Sequence, residues 1–308
     1  MPRLDASPRA WRDDLRRIEA LGFDSVSISD HLTQGWVMEP TAVMAAAMEA
    51  TERLRVLSLV LANDFRHPVV LHKTAATIDV LSEGRLELGL GAGWLRTDFD
   101  ASGIRFDAPS VRLARLEESL RVIKGLFGAE PLTFHGAHYS VSRLEGLPKP
   151  VQQPHPPLLV GGGGKRVLQL AAREANIVSV HCNLGKGQLD SEAAADLAAD
   201  RVDEKVGWLT AAAAEAGRSA HDLELQFNTY LCHVTNAPRS ADRSVSTFAR
   251  YLAADPELVE RSPAVLVGSV DECVETLHER RERYGFSYLN LGGNVDNVAP
   301  IVARLAGM

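Results

Sequence analysis

Short apolar runs alternate with amphipathic segments along almost the whole chain, and this order restricts the folds that the chain can adopt. The apolar runs predict seven strands, each followed by a segment with helical periodicity. Strands separated by helices form right-handed βαβ units, so the pattern predicts a parallel sheet covered by helices. The predicted strands are 24–30, 55–61, 85–91, 157–161, 176–181, 223–234 and 288–292.

Doubly wound sheets and closed (β/α)8 barrels both have this order of elements. The even spacing over all 308 residues, close to the ~250 residues of a barrel plus insertions, favours an α/β fold of the (β/α)8 TIM-barrel type in one domain, 1–308. A hairpin over 131–141 and a Pro-rich connector over 148–157 predict an insertion at 131–157. Only residues 1–6 precede the first helix, so we expect a truncated or missing first strand, or a true start upstream of Met1.

Composition excludes several classes of protein. The net charge of −7 argues against binding to the phosphate backbone of a nucleic acid. The three cysteines are far apart and lack metal-ligand spacing, which predicts reduced thiols. No apolar run approaches the ~18 residues that cross a bilayer, and the N-terminal residues lack the apolar core of a secretory signal. We therefore expect a cytoplasmic protein that acts on a small molecule, without nucleic acid or membrane.

Polar and glycine residues follow the predicted strands, where a barrel carries its active site. The run GGGGKR, 161–166, is the most specific, because glycines at a helix start expose N–H groups to an anion and two cations follow. The run lacks the Walker A pattern. The structural alternative, a turn with positive φ, explains one or two glycines better than four in a row. We therefore predict an anion site at this run.

The run GLGAGW, 89–94, does not meet the GxGxxG fingerprint, because Trp94 stands where the third glycine is required. Close approach of a flat ligand and a simple tight turn are equally good interpretations. Asp30 and His31 are interpreted either as a cap and a loop histidine, or as a proton-transferring imidazole beside a carboxylate that sets its tautomer or orders the loop. His135 and His138 have no third ligand nearby, so no metal site is predicted.

Four segments together resemble the bacterial luciferase-like monooxygenase superfamily, and within it the F420-dependent oxidoreductases of the luciferase-like class. The resemblance implies a (β/α)8 barrel, commonly a homodimer, with flavin or deazaflavin at the C-terminal mouth. It also implies a non-prolyl cis peptide near Val60 that supports the cofactor ring from behind. The segments are EALGFDSVSISDHL (19–32), LANDFRHPVVLHKTAATIDVLSEGRLELGLGAGW (61–94), PKPVQQPHPPLLVGGGGKR (148–166) and VGSVDECVETL (267–277).

The resemblance assigns roles to single residues. His31 and Asp30 are the expected catalytic pair that faces the ring, and the glycine run is expected to hold the cofactor phosphate. The expected cofactor-binding residues are Val60, Leu61, Ala62, Asn63, Gly91, Ala92, Gly93, Trp94, Gly161, Gly162, Gly163, Gly164 and Lys165, and the expected substrate residues are His181 and Asn183.

One departure from the family pattern concerns the proton donor. Several deazaflavin enzymes carry an acid directly after the glycine that corresponds to Gly93, whereas this chain has Trp94, with Asp98 and Asp100 following. His31 is therefore the first candidate donor, and Trp94 is expected to exclude solvent or to stack on substrate.

The sequence thus predicts an F420-dependent oxidoreductase that transfers a hydride between reduced deazaflavin and a small organic substrate. One alternative is an FMN-dependent luciferase-like monooxygenase. The other is a non-catalytic barrel that binds flavin or a phosphorylated ligand. The loops that would select the substrate, at 131–141, after His181 and at 236–262, carry no readable motif.

Overall fold

A computed structural model describes residues 1, 7–33, 38–184, 187 and 189–306. The chain forms two compact units, the first of Met1–Glu19 and Asp24–Val160 and the second of Ala20–Phe23 and Gly161–Met308. The expected truncated first strand would lie within residues 1–6, and residues 2–6 fall outside the described part of the chain.

The first unit alternates helices with parallel strands, as predicted. Strands β1, β2, β4 and β7 pair in that order, and β3 pairs with β4. The elements are α1 Pro8–Ala20, β1 Ser25–Ile28, α2 Pro40–Ala50, β2 Arg55–Ser58, β3 Leu61–Ala62, α3 Pro68–Leu81, β4 Leu86–Gly91, α4 Arg96–Ser102, α5 Pro109–Phe127, β5 Leu132–His135, β6 Ser140–Leu144 and β7 Leu158–Gly162, where the second unit begins. The antiparallel pair β5–β6 is the predicted hairpin.

Local sequence explains why these elements begin where they do. Helices α2, α3 and α5 each begin with a proline, whose fixed φ suits the first helical position and whose missing N–H has no partner there in any case. All six residues of β4 are buried, as expected for a parallel strand covered on both faces. The peptide bond Leu59–Val60 between β2 and β3 is cis, and this confirms the cis peptide that the resemblance implied.

Three carboxylates hold loops of the first unit by accepting backbone N–H groups. Burial acts to raise the pKa values of Glu19 and Glu118, but the hydrogen bonds from backbone N–H groups outweigh burial and hold both pKa values below the usual value. The bonds run from the N–H groups of residues 52–54 to Glu19, of 151 and 152 to Asp79, and of 137–139 to Glu118. Each loop thereby gains hydrogen bonds to a charged acceptor, which are stronger than bonds to neutral acceptors.

The second unit continues the alternation, with β8, β9 and β12 paired in parallel. Helix α11 begins with a capping box between Ser269 and Glu272 and ends at Gly285 in the left-handed conformation. The elements are α6 Lys165–Glu174, β8 Ile177–Val180, α7 Ser191–Ala195, α8 Ala199–Glu215, β9 Glu224–Thr229, β10 Leu231–Val234, α9 Pro238–Leu252, α10 Pro256–Glu260, β11 Val265–Gly268, α11 Val270–Tyr284, β12 Phe286–Leu291 and α12 Val295–Leu305.

The predicted strand 223–234 is wrong as a single element. It is broken at Tyr230, whose N–H donates to the carbonyl of Ala264. Residues 231–234 then form β10, which pairs with β11 rather than with β12, and β11 itself was not predicted. The segment between β8 and β9 contains two helices, α7 and α8.

Strands β10 and β11 pack on one face against a small apolar layer, and on the other face against α11 and α12. Their partners in the apolar layer are helices α7, α9 and α10, which pack side chains against this pair. The buried members are Ala194, Val245, Ala249, Leu252, Val259 and Val265, with Leu231 and Phe248 packed against them. The segment 236–262, expected to be irregular and partly helical, forms helices α9 and α10, which pack on β10 and β11. Within the described ranges, no helix is both long and apolar enough to cross a membrane.

Gly89 gives a test of the contact between β2 and β4. A Cβ atom added there would lie 1.9 Å from the carbonyl oxygen of Ser58, so Gly89→Ala should cost about 1–3 kcal/mol of unfolding free energy or more. The matched control is Gly207→Ala at an exposed position of helix α8, where nothing lies within 4 Å of an added Cβ. That change should stabilise by about 0.5–1 kcal/mol. Urea unfolding of both variants measures the two effects, and a Gly89→Ala protein as stable as the parent would contradict the packing.

Candidate active site

His31 follows β1 at its carboxyl end and is held by a buried carboxylate. Its Nδ1 lies 2.8 Å from Oδ2 of Asp98, a residue in the first turn of α4. The His31 side chain is 13% exposed and that of Asp98 only 2%. The indole of Trp94 meets the imidazole edge to face, with 5.5 Å between ring centroids. The predicted proton donor therefore lies in a restrained and mostly enclosed position.

Asp98 has both carboxylate oxygens engaged. Its Oδ1 accepts hydrogen bonds from the N–H groups of Leu32 and Thr33 and from the Thr33 hydroxyl. Burial alone would raise the pKa of this carboxyl, but the hydrogen bonds from Thr33, His31 and Leu32 outweigh burial and hold the pKa below its usual value. Asp98 is therefore ionised at neutral pH and acts only as an acceptor.

Asp30 does not set the tautomer of His31. Its carboxylate accepts from the N–H of Ala62 at 3.0 Å and forms an ion pair with Arg66, which also binds Glu39 at 2.6 Å. Asp30 thus ties the end of β1 to the start of β3 and, through Arg66, to the N-cap of α2. Of the two roles expected for this carboxylate, the structure shows the ordering of the segment. The contact with the imidazole belongs to Asp98 instead.

The segment 60–63, expected to contact the cofactor ring, is largely buried in the first unit. Leu61 and Ala62 are buried in β3, and Asn63 is only 1% exposed. The Asn63 amide nitrogen donates to the hydroxyl of Tyr139 at 3.3 Å. Its Oδ1 is a buried acceptor without a hydrogen-bond partner in the described part of the chain. Because a buried acceptor without a partner is costly, this oxygen is suited to receive an N–H or O–H from a ligand.

The glycines of the run 89–94 have structural explanations of their own. Gly89 is required by the Ser58 carbonyl, and Gly93 has a φ of +75°, which favours glycine. A side chain at Gly93 would also meet the ring of Phe99 at 2.8 Å. Of the two interpretations left open, the tight turn therefore accounts for Gly93. Gly91 and Ala92 connect the end of β4 to this turn.

In the second unit, the run 161–166 ends β7 and starts α6, as predicted. Gly164 is the N-cap with extended backbone, and as a glycine it has no side chain that could cap the first-turn N–H groups of α6. None of Gly161–Gly164 has a left-handed φ, which removes the turn explanation. Gly163 is instead required by packing, since a Cβ there would lie 2.2–2.4 Å from the backbone of Cys182 and Asn183. Lys165 and Arg166 are exposed.

His181 follows β8, and both of its ring nitrogens are bound within the protein. Nδ1 lies 2.9 Å from the Tyr230 hydroxyl, and Nε2 lies 3.1 Å from the Asn228 amide nitrogen. The Asn228 oxygen already accepts from Gln226 and Asn290, so its nitrogen must face His181. His181 is therefore protonated on Nδ1. Both ring nitrogens of this expected substrate residue are therefore engaged in hydrogen bonds within the protein.

A buried ammonium group anchors the segment that carries the other expected substrate residue, Asn183. Lys205 is fully buried in α8, forms an ion pair with Asp196 and donates to the carbonyls of Asp196 and His181. The Asp196 carboxylate also accepts from the N–H of Asn183 at 2.6 Å. Burial lowers the pKa of Lys205, while the Asp196 carboxylate opposes that change. The backbone at 181–183, on which Gly163 packs, is thus fixed from α8.

The sequence did not predict that four residues, Asp98, Arg66, Lys205 and Asn228, hold the candidate residues in place. Asp98 lies in the first turn of α4, a helix that was not predicted. The other three act through partners that are distant in sequence, such as Arg66 with Asp30. Only knowledge of α4 would have directed attention to Asp98.

Residues 2–287 match the family model of the luciferase-like monooxygenases. The chain belongs to this family. A coenzyme F420-dependent tetrahydromethanopterin reductase from Methanopyrus kandleri has a TM-score of 0.75 and 17% identity, covering 98% of this chain and 95% of that one. At that identity the likeness shows the fold, and the predicted TIM-barrel class is confirmed.

Curated relatives of both cofactor types resemble the luciferase-like chain. An FMNH2-dependent dimethylsulfone monooxygenase of Pseudomonas putida is 30% identical over 53% of this chain and 47% of that protein. An F420-dependent glucose-6-phosphate dehydrogenase of Intrasporangium calvum is 34% identical over 64% of this chain and 59% of that protein. The matches thus span about half the length of these relatives.

His181 predicts a pH dependence of stability. Burial, with a smaller effect of Lys205, lowers its pKa to about 4, whereas an unfolded histidine has a pKa of about 6.5. The unfolded chain therefore binds this proton first, and the stability present above about pH 6.5 is lost as the pH falls towards 4. His181→Gln should reduce this loss, measured by urea unfolding at pH 7.5 and 4.5. His72, with a pKa also lowered to about 4 by burial, remains in both proteins. An equal loss in both would contradict the assignment.

Proposed function

We propose that the chain is an F420-dependent oxidoreductase that moves a hydride between reduced deazaflavin and a carbonyl or unsaturated carbon of a small organic substrate. The observation that carries the proposal is the His31 imidazole, held beside Trp94 at the carboxyl end of β1 in a chain of the luciferase-like family. An imidazole changes its protonation near neutral pH, so it can supply or accept the proton that accompanies a hydride.

The residues present fit a flavin or a deazaflavin. In the first unit, Asn63 Oδ1 is a buried acceptor that a ring N–H can satisfy. In the second unit, the start of α6 combines N–H groups without a capping side chain with the cations of Lys165 and Arg166. Such a helix start is suited to a phosphate. Within the first unit we assign the segments 60–63 and 91–94 to binding of a cofactor ring, and within the second unit we assign Gly161–Lys165 to binding of a phosphate.

When bound, reduced F420 would supply the hydride to the substrate carbon. His31 would donate the accompanying proton to the substrate oxygen, and would take it back in the oxidative direction. Because Nδ1 is bonded to Asp98, the exchanged proton is the one on Nε2. Trp94 against the imidazole limits the access of water, and the protein otherwise contributes orientation. Substrate recognition by His181 through a ring nitrogen would require its bonds to Tyr230 or Asn228 to break.

FMN is the alternative cofactor, and it would make the chain a monooxygenase because reduced flavin reacts with oxygen whereas reduced deazaflavin reacts poorly. The F420-dependent relatives from Amycolatopsis mediterranei and Intrasporangium calvum are 33% and 34% identical, and the FMNH2-dependent relative is 30% identical. Relatives of the two cofactor types are thus similarly close, and F420 is the first choice because the segments 61–94 and 148–166 resemble the F420-dependent class. A non-catalytic barrel for a phosphorylated ligand would need the α6 site but not His31.

The cofactor choice predicts a selective binding result. Titration of the purified protein with F420, followed by fluorescence and absorbance, should give saturable binding that is at least tenfold tighter than FMN. A parallel titration with inorganic phosphate should compete only weakly, because it lacks the ring. Tight FMN binding with no F420 binding would overturn the cofactor proposal. Saturable binding of either cofactor without turnover of any enone, imine or carbonyl substrate would support the non-catalytic alternative.

The proton role predicts the effect of His31→Ala. Turnover should fall about 10²–10⁴-fold, the range for loss of a general acid, while the Kd for cofactor changes less than about threefold. His278→Ala, at an exposed position of α11, removes a histidine elsewhere and should leave both quantities unchanged. Steady-state turnover and cofactor titration measure the two effects. Parent-like turnover in His31→Ala would remove His31 from the mechanism.

A further inference from the structure

We infer that Asp98 is the positioning residue of His31: its carboxylate fixes the orientation of the imidazole and keeps a proton on Nδ1, so that the proton exchanged in the proposed reaction is the one on Nε2. This inference deepens the proposed function and rests on it for its catalytic consequence. The orientation of the imidazole itself can be measured without any cofactor.

The tautomer follows from the chemistry of the contact. An ionised carboxylate has no proton to donate, so the 2.8 Å contact between Asp98 Oδ2 and His31 Nδ1 requires the hydrogen on Nδ1. A hydrogen bond to a charged acceptor is about twice as strong as a neutral one. Asp98 therefore selects one tautomer of the neutral ring and also stabilises the protonated ring.

The carboxylate is rigid enough to serve as a reference point for the ring. Its other oxygen, Oδ1, accepts from the N–H groups of Leu32 and Thr33 at 3.1 and 2.9 Å, and from the Thr33 hydroxyl at 2.6 Å. The two residues that follow His31 are thus bound to the same group that binds its ring. Backbone and imidazole are fixed together, which is the arrangement that a preorganised proton donor requires.

The other carboxylates close to His31 in the sequence or on α4 are paired with arginines, whereas Asp98 contacts the imidazole. Asp30, next to His31 in sequence, is ion-paired with Arg66, and Arg66 also binds Glu39. On α4, Asp100 is exposed and paired with Arg96. Removal of the charge at Asp98 therefore removes the negative group that directly stabilises the imidazolium.

The first experiment compares Asp98→Asn with Asp100→Asn in the cofactor-loaded enzyme. Both changes remove one negative charge from α4, but only the first touches His31. Asp98→Asn should lower kcat at neutral pH by tenfold or more. The pH at which reductive turnover is lost on the alkaline side should fall by about 1 unit, since an opposite charge at this distance shifts a titration by that order. Asp100→Asn should match the parent in kcat and pH profile.

The second experiment needs no cofactor and separates this inference from the proposed function. In protein labelled with ¹⁵N histidine, the His31 ring signals are assigned by their absence in His31→Ala. The parent should show the Nδ1–H tautomer, and Asp98→Asn should show a mixture with a lower midpoint of titration. Thr33→Val removes one bond to Asp98 without touching His31, and should keep the parental tautomer and midpoint even if the melting temperature falls.

The outcomes are distinct. An Asp98→Asn protein with parental tautomer, midpoint and pH profile overturns the inference and leaves Asp98 as a loop-ordering group. Parent-like turnover in His31→Ala overturns the proposed proton role, while the ring signals still decide whether Asp98 positions the imidazole. If Asp98→Asn fails to fold, Asp98→Glu keeps the charge and displaces the oxygens. A parental midpoint with at least tenfold lower kcat then supports the positioning role, and parental kcat overturns it.

Discussion

Carboxylates that accept hydrogen bonds from backbone N–H groups hold the loops of the first unit, and the candidate site depends on them. Glu19, Asp79 and Glu118 do this at sites remote from His31, and Asp98 does it beside the imidazole. A carboxylate with several such donors is both ionised and immobile. Asp98 therefore holds a loop with one carboxylate oxygen and binds the imidazole of His31 with the other.

Much of the fold could be predicted from the sequence, because the physical signal is local. The seven predicted strands correspond to β1, β2, β4, β7, β8, β9 and β12, and most of the apolar residues that mark them are buried, although Leu289 and Leu291 of β12 are only partly buried. The break at Tyr230 could not be predicted, because it depends on pairing with a strand more than thirty residues later in the chain.

The positions of the candidate residues at strand ends could be predicted from the sequence, but most of their side-chain contacts could not. His31, the segment 60–63 and the glycine run before α6 lie at strand ends, where the pattern of alternation placed them. Which carboxylate meets the imidazole depended on the direction of a short helix, α4, and on the competing attraction of Arg66 for Asp30. The reason for Gly163 also lies outside its own segment, in the backbone of 182–183. The local periodicity of a sequence does not predict contacts between residues that are distant in the chain.

The small apolar layer around β10 and β11 has a consequence for how the second unit opens. Helices α7, α9 and α10 cover one face of the β10–β11 pair, whereas Leu266 on its other face packs with α11 and α12 in a cluster that also reaches Leu289 and Leu291 of β12. Local opening costs least where few other elements depend on the same buried side chains. Opening of α9 and α10 would therefore uncover one face of the pair, while its other face would stay packed against elements of the parallel ladder.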